Sequence, residues 1–131
     1  MDAMFTETEI RFLEEHARGR LSTVGVDDRT HVHPVAFVVD GERDALNIIG
    51  AGLRDKQKYR NVRHDPRVTL TVDDPALPLS GVDDRDTGRG LKIHGLAEAT
   101  ESHGIDVIRI RPIRVDEWNL DRSGHRRRFL T

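Results

Sequence analysis

Hydrophobic and polar residues first recur along this chain with a helical period. Ile10, Leu13 and Ala17, with Phe12 beside them, form one apolar stripe. Ahead of it Thr6 and Glu9 stand at capping-box spacing and Phe5 and Ile10 at the spacing of a hydrophobic staple, so a helix is predicted from Thr6, closing near Gly19 in "RGR". From Arg20 the period shortens to two. "RLSTVGV" reads as a half-buried strand, "DDRT" as a turn, "HVHPVAFVVD" as the partner strand and "DALNIIG" as a third. The segment "AGLRDKQKYRNVRHDP" returns to helix, with Asp55 as its expected N-cap and Pro66 just beyond its stop. "RVTLTVDD" alternates cleanly as a fourth strand. "PALPLSGVDDRDTGRG" is loop-like, and "LKIHGLAEAT" and "IDVIRIRPI" are two further strands joined by the short polar link "ESHG". The tail "DRSGHRRRFLT" shows no periodicity, and 122–131 is expected to be flexible.

The order is helix, three strands, helix, three strands, with links too short for repeated parallel crossovers. This predicts one mainly β domain over 1–131, an antiparallel sheet of about six strands that removes its edges by curling into a barrel. Composition agrees: 36% of residues are hydrophobic, about 44% with the 11 glycines, which is ordinary for a globular domain. The formal charge of −2 is mixed in sign, so no global field recruits nucleic acid or an anionic membrane. Without cysteine there is no disulfide framework, thiolate site or thiol nucleophile. The first 20 residues carry five acidic side chains and no long apolar core, so neither a signal peptide nor a membrane span is expected, and the expected location is the cytoplasm.

Two stretches carry candidate chemistry. In "GVDDRTHVH" His31 and His33 sit at i and i+2 of a strand, on one side of the sheet, six residues after Gly25. That spacing resembles the opening of the cupin metal motif, which then wants a carboxylate where this chain has Phe37 and Val38. A zinc or iron site needs three or more protein ligands, and no other histidine stands at a spacing that supplies the third, so no metal ligand is assigned. The cupin-like barrel stays as a remote alternative. In "RDKQKYRN" Arg54, Lys58 and Asn61 fall on one helical face, while Leu53, Tyr59 and Val62 take the other. Lys56 and Lys58 are two of only three lysines in the chain. Cations in the first turn oppose the helix dipole, and a bound phosphate compensates them: the helix start gives N–H donors and Lys58, with Arg54 or Lys56, gives charge. The alternative is a solvated helix face.

The segments "GRLSTVGVDDRTHVHPVAFVVD", "KYRNVRHDPRVTLTVDDP", "LKIHGLAEAT" and "IRIRPIRVDEWNLD" resemble, in order and spacing, the pyridoxamine-phosphate-oxidase-like superfamily of split β-barrel flavin and deazaflavin enzymes. Within it the chain is most similar to small coenzyme F420-dependent reductases. The similarity covers about residues 6–121. It implies that Lys58 grips the cofactor phosphate, with Asn61 a turn further on. It also implies that His33, Pro34 and Val35 lie along the tricyclic ring, and that Ile49 and Gly50 end a strand near the phosphate. Arg54 and Lys56 complete the expected cofactor-binding set.

The resemblance further implies a homodimer with the cofactor between subunits, since a small barrel fills its interior with its own side chains. The implied activity is hydride transfer from reduced deazaflavin to an electrophilic C=C, C=N or ring system of a small molecule. The cofactor carries that chemistry, so no catalytic side chain is named. The proton source is open among His31, Tyr59 and water. An FMN-binding oxidoreductase and a non-catalytic flavin-binding module are the alternatives. Gln57 stands where relatives carry arginine or serine before the phosphate lysine, and "ESHG" leaves no room for the helical segment that relatives place between the last two strands.

Overall fold

The computed structural model describes residues 5–74, 88–120 and 124–130. Most of the loop "PALPLSGVDDRDTGRG" therefore lies outside the described residues, as does the start of the tail.

Helix α1 (Glu7–Glu15) begins as its sequence predicts. Thr6 Oγ1 accepts the Glu9 amide at 3.1 Å while Glu9 Oε1 accepts the Thr6 amide at 2.8 Å, a complete capping box. It ends earlier than predicted. His16 is its C-cap, and Gly19 lies in strand β1 (Arg18–Val24), where a Cβ would stand 2.7 Å from the Thr71 carbonyl oxygen. Strands β2 (Thr30–Asp40) and β3 (Ala45–Ile49) follow. Next come a 3-10 turn (Leu53–Asp55), helix α2 (Gln57–His64), β4 (Arg67–Asp74), β5 (Arg89–Ser102) and β6 (Ile105–Trp118).

All pairings are antiparallel, in the order β3-β2-β1-β4-β5-β6, and β3 also pairs with β6, which closes a six-stranded barrel. Alternation fills its interior: Leu21, Leu46, Ile48, Leu70, Leu91, Ile93, Ile108 and Ile110 are fully buried. No helix among the described residues is long and apolar enough to cross a membrane.

Three elements differ from the sequence reading. Lys56, not Asp55, is the N-cap of α2, because the chain first makes the 3-10 turn and then extends at Lys56 (φ −89°, ψ 151°). Arg54 is thereby off the α2 face. The tail forms a seventh strand, β7 (His125–Phe129), paired with the outer edge of β6. Finally, β5 and β6 run on to a two-residue turn in which His103 (φ 52°) and Gly104 (φ 79°) both take the left-handed conformation that a tight hairpin requires.

The β5–β6 register slips between His94 and Gly95, with Gly95 opposite Pro112 and His94 opposite Arg114. Ile113 is the extra residue, and its carbonyl accepts the Leu130 amide at 2.6 Å. A Cβ at Gly95 would collide with the Arg111 carbonyl oxygen, which is backbone and cannot step aside. Gly95→Ala is therefore expected to destabilise the fold by about 1–3 kcal/mol through overpacking, read as a lower urea midpoint.

Candidate functional site

Of the sequence-predicted residues, the structure groups Lys58, His33 and Asn61 at the junction of β1, β2 and the start of α2. Asn61 is buried, accepting Gln57 Nε2 at 2.7 Å and donating from Nδ2 to Thr23 Oγ1 at 3.0 Å. Thr23 pairs across the ladder with His31 and Leu21 with His33, so the two histidines flank the place where α2 is tied to β1. Asn61 is thus a tether of the helix, not a member of an exposed polar stripe. Tyr59 packs in the core with Val62 and Leu53.

Three features make this junction a candidate site for an anion. First, no side chain caps α2: the Gln57 and Lys58 amides at its start have no side-chain acceptor among the described residues, while the Tyr59 amide turns back to the Lys56 carbonyl at 3.2 Å. Second, Lys58 is half-buried and has no carboxylate partner among the described residues; burial, and then the neighbouring Lys56, lower the pKa of its ammonium. Third, His33 Nδ1 is buried without a hydrogen-bond partner. Burial, then Lys58, then His31 lower the pKa of this imidazole, so it is neutral near pH 7. An orphaned ring nitrogen beside lysines that have no carboxylate partner among the described residues, and beside uncapped helix amides, fits the phosphate of a cofactor.

The other predicted residues are less concentrated. Arg54 turns to the β5–β6 hairpin, 3.0 Å from Asp106 and 3.7 Å from Glu101. Pro34 faces outward and Val35 faces the core, so Val35 offers a ligand its backbone only. Ile49 is half-buried opposite Ala36, and Gly50 is exposed with nothing within 4 Å of a Cβ placed there. Gly50→Ala is expected to leave the urea midpoint undiminished, and to weaken cofactor binding if the cofactor passes as close as the family resemblance implies.

The half metal motif has a different explanation. His31 Nε2 is 3.2 Å from Asp27 Oδ1, and a Cβ at Gly25 would stand 2.6 Å from that same nitrogen. Gly25 makes room for a turn pair. Among the described residues no group of three or more histidines and carboxylates is placed to hold a metal ion.

Sequence reasoning missed the outer face. A concavity of about 570 Å³ runs along β5, β6 and β7, lined by Lys92, Asp116, Trp118, His125 and Arg127 among others. Beside it Thr69, His94, Arg114 and Asp116 form a hydrogen-bonded row across three strands. The only signal in the sequence was alternation in the fifth and sixth strands, and cross-strand register cannot be read from that.

The sequence profile of the pyridoxamine 5'-phosphate oxidase family matches residues 5–119. Over 125 residues the chain is 35% identical to the 5a,11a-dehydrotetracycline/5a,11a-dehydrooxytetracycline reductase of Streptomyces rimosus, covering 89% of this chain and 84% of the reductase. It superposes on an F420 reductase with a TM-score of 0.61 at 24% identity, covering 85% of this chain and 98% of that one. It also superposes on a heme-binding protein from Mycobacterium smegmatis with a TM-score of 0.68 at 16% identity, covering 98% of this chain and 60% of that longer one. At those identities the two structures report a shared split-barrel fold. The family profile and the 35% relative settle the affiliation: the chain belongs to the pyridoxamine 5'-phosphate oxidase family, a family of oxidoreductases.

Proposed function

We propose that this chain is a coenzyme F420-dependent reductase that works in the cytoplasm as a homodimer and transfers hydride to an electrophilic C=C, C=N or ring system of a small molecule. The observation that carries the proposal is Lys58, an unpaired half-buried cation at the uncapped start of α2 and beside the orphaned His33 Nδ1, in a chain 35% identical to a named reductase. Lys58 binds the cofactor phosphate, the α2 amides complete its cradle, and His33, Pro34 and Val35 lie along the ring. Ile49 and Gly50 line the phosphate end, and Lys56 raises the local positive potential without direct contact, whereas the charge of Arg54 is offset by Asp106 and Glu101. When bound, the reduced deazaflavin supplies the hydride.

The barrel interior is filled by side chains, so a tricyclic cofactor sits outside it, in a cleft completed by the partner subunit. The name of the Streptomyces relative suggests a substrate class, namely polycyclic enones. The direct test is the loss of reduced-F420 absorbance when 5a,11a-dehydrotetracycline or a simpler cyclic enone is added to the purified protein. Turnover that depends on both partners is expected. Turnover with reduced FMN and none with reduced F420 would replace the deazaflavin by a flavin.

A further inference from the structure

The outer face of the sheet carries polar side chains that the cofactor site does not use. Register places Ser22 opposite Thr69, Thr69 opposite His94, and His94 opposite Arg114, and paired residues project to one face. Thr69 Oγ1 is 3.1 Å from His94 Nδ1, and His94 Nε2 is 3.2 Å from Asp116 Oδ2. Arg114 Nη2 lies 2.9 Å from the same Nε2 and 3.2 Å from Asp116 Oδ2, while Arg114 Nε is buried without an acceptor. Thr69, His94 and Arg114 open on a groove of about 410 Å³ that reaches Thr23 and Thr30 at the β1–β2 junction, and its apolar walls are Leu96, Ile113 and Phe129, which are 37%, 41% and 63% exposed. Apolar walls with a few convergent polar groups are what a small-molecule site needs.

We infer that this groove holds the substrate, an α,β-unsaturated carbonyl compound, and that the Thr69 hydroxyl, recharged by His94, delivers the proton that completes its reduction. The inference rests on the reductase proposal and supplies the proton source that proposal lacks. In the neutral ring Nε2 accepts from Arg114 and Nδ1–H donates to Thr69. In the imidazolium Nε2–H donates to Asp116 and Nδ1–H still donates to Thr69. A bound reduced deazaflavin would supply the hydride for the β-carbon, and the π electrons would move to the carbonyl oxygen. The Thr69 O–H bond then breaks toward the enolate as the Nδ1 proton of His94 moves to Oγ1. The substrate would gain one hydride and one proton, the deazaflavin would be oxidised by two electrons, and His94 is left as the neutral Nε2–H tautomer, whose bare Nδ1 takes a proton from water to restore the imidazolium. Asp116 does not change charge. Burial alone would raise its carboxyl, but Arg114, Arg127 and His94 outweigh this and hold it below its ordinary value.

The charged groups around His94 are Arg114 and Asp116 of β6, Lys92 of β5, Arg67 of β4 on the groove wall and, through Asp116, Arg127 of β7. Burial first, then Arg114, lower the imidazole pKa, with Lys92 adding to them and Asp116 opposing. The active imidazolium is therefore lost as pH rises through a value below the ordinary imidazole one, and kcat is expected to fall with it.

Two measurements test this. The first needs no cofactor: 4-nitrophenol, a stable stand-in for the enolate, is titrated into the isotope-labelled protein. The His94 ring and Thr69 amide resonances are expected to shift, and His94→Gln to weaken binding by about tenfold. Unmoved His94 resonances overturn the proposal. The second uses cofactor-loaded protein and 2-cyclohexen-1-one. His94→Gln and Thr69→Val are expected to lower kcat by about 100-fold or more, with little change in KM and a flattened pH profile. Variants that keep the wild-type rate and pH profile overturn the relay. An inactive wild type that still binds nitrophenol at His94 overturns the reductase proposal, and the proton step with it, while the groove stands as a ligand site.

Discussion

Lys58→Ala is expected to weaken binding of the phosphate-bearing cofactor by about 1.5–3 kcal/mol, roughly 10–150-fold, without lowering the urea midpoint. The lysine has no carboxylate partner among the described residues, and burial and the neighbouring Lys56 both disfavour its charge. Removing it relieves repulsion in the free protein and costs only the bound state. Asn61→Ala separates the two roles, since Asn61 joins α2 to Thr23. That variant is expected to lower stability by about 1–3 kcal/mol, because it leaves Gln57 and Thr23 each short of a partner. Equilibrium titration followed by cofactor fluorescence reads the first effect and urea unfolding reads the second. Raising the salt concentration is expected to shrink the Lys58 effect, as it does for any partly solvated ion pair.

The second large effect lies where the chain ends meet. Glu9 is fully buried, caps α1, and receives Arg128 in a bidentate pair, Nη2 to Oε1 at 2.6 Å and Nη1 to Oε2 at 3.0 Å. Glu117, itself only 7% exposed, lies beside it. Arg128→Met keeps most of the apolar stem but strands a buried carboxylate, and is expected to cost about 3 kcal/mol. Because the Arg128 side chain is 36% exposed, water tempers the loss, which places the figure at the low end for a broken buried pair. Glu9→Gln is expected to cost less, since no buried charge is left alone.

The pH dependence has a definite sign. Burial would raise the Glu9 carboxyl, but hydrogen bonds from Arg128, Glu117 and the Thr6 amide together hold it below its unfolded value of 4.5. Its contribution is therefore complete above 4.5 and is lost as pH falls through the folded value. The gap between wild type and Arg128→Met in urea midpoint is expected to be widest near pH 7 and to narrow toward about pH 4.

Local signals survived best from sequence to structure. The Thr6–Glu9 capping box and the alternation of "RVTLTVDD" each describe what neighbouring residues do, and both elements begin as they imply. The start of α2 was misplaced by one residue: Asp55 is a good cap by type, but a 3-10 turn spends it before the helix begins. Lys58 was legible as a scarce lysine in a first turn, whereas Arg54 on the same expected face was not, because its partners Asp106 and Glu101 come from the far hairpin. β7 was invisible for a related reason. "HRRRF" has no apolar alternation, and what holds it is backbone pairing to β6 and a pair between Arg128 and Glu9, 119 residues apart. The Thr69–His94–Asp116 row depends on register across three strands and on the slip at Gly95, which shifts the β6 partners by one. Spacing along one strand carries no trace of that.

The identity of the redox cofactor that Lys58 binds decides what this protein does. The most direct measurement is a fluorescence titration of the purified protein with oxidised F420 and, in parallel, with FMN, each repeated with Lys58→Ala. Saturable binding of F420 that the substitution weakens is the predicted result. Tight FMN binding with no response to F420, or F420 binding that ignores Lys58, would contradict it.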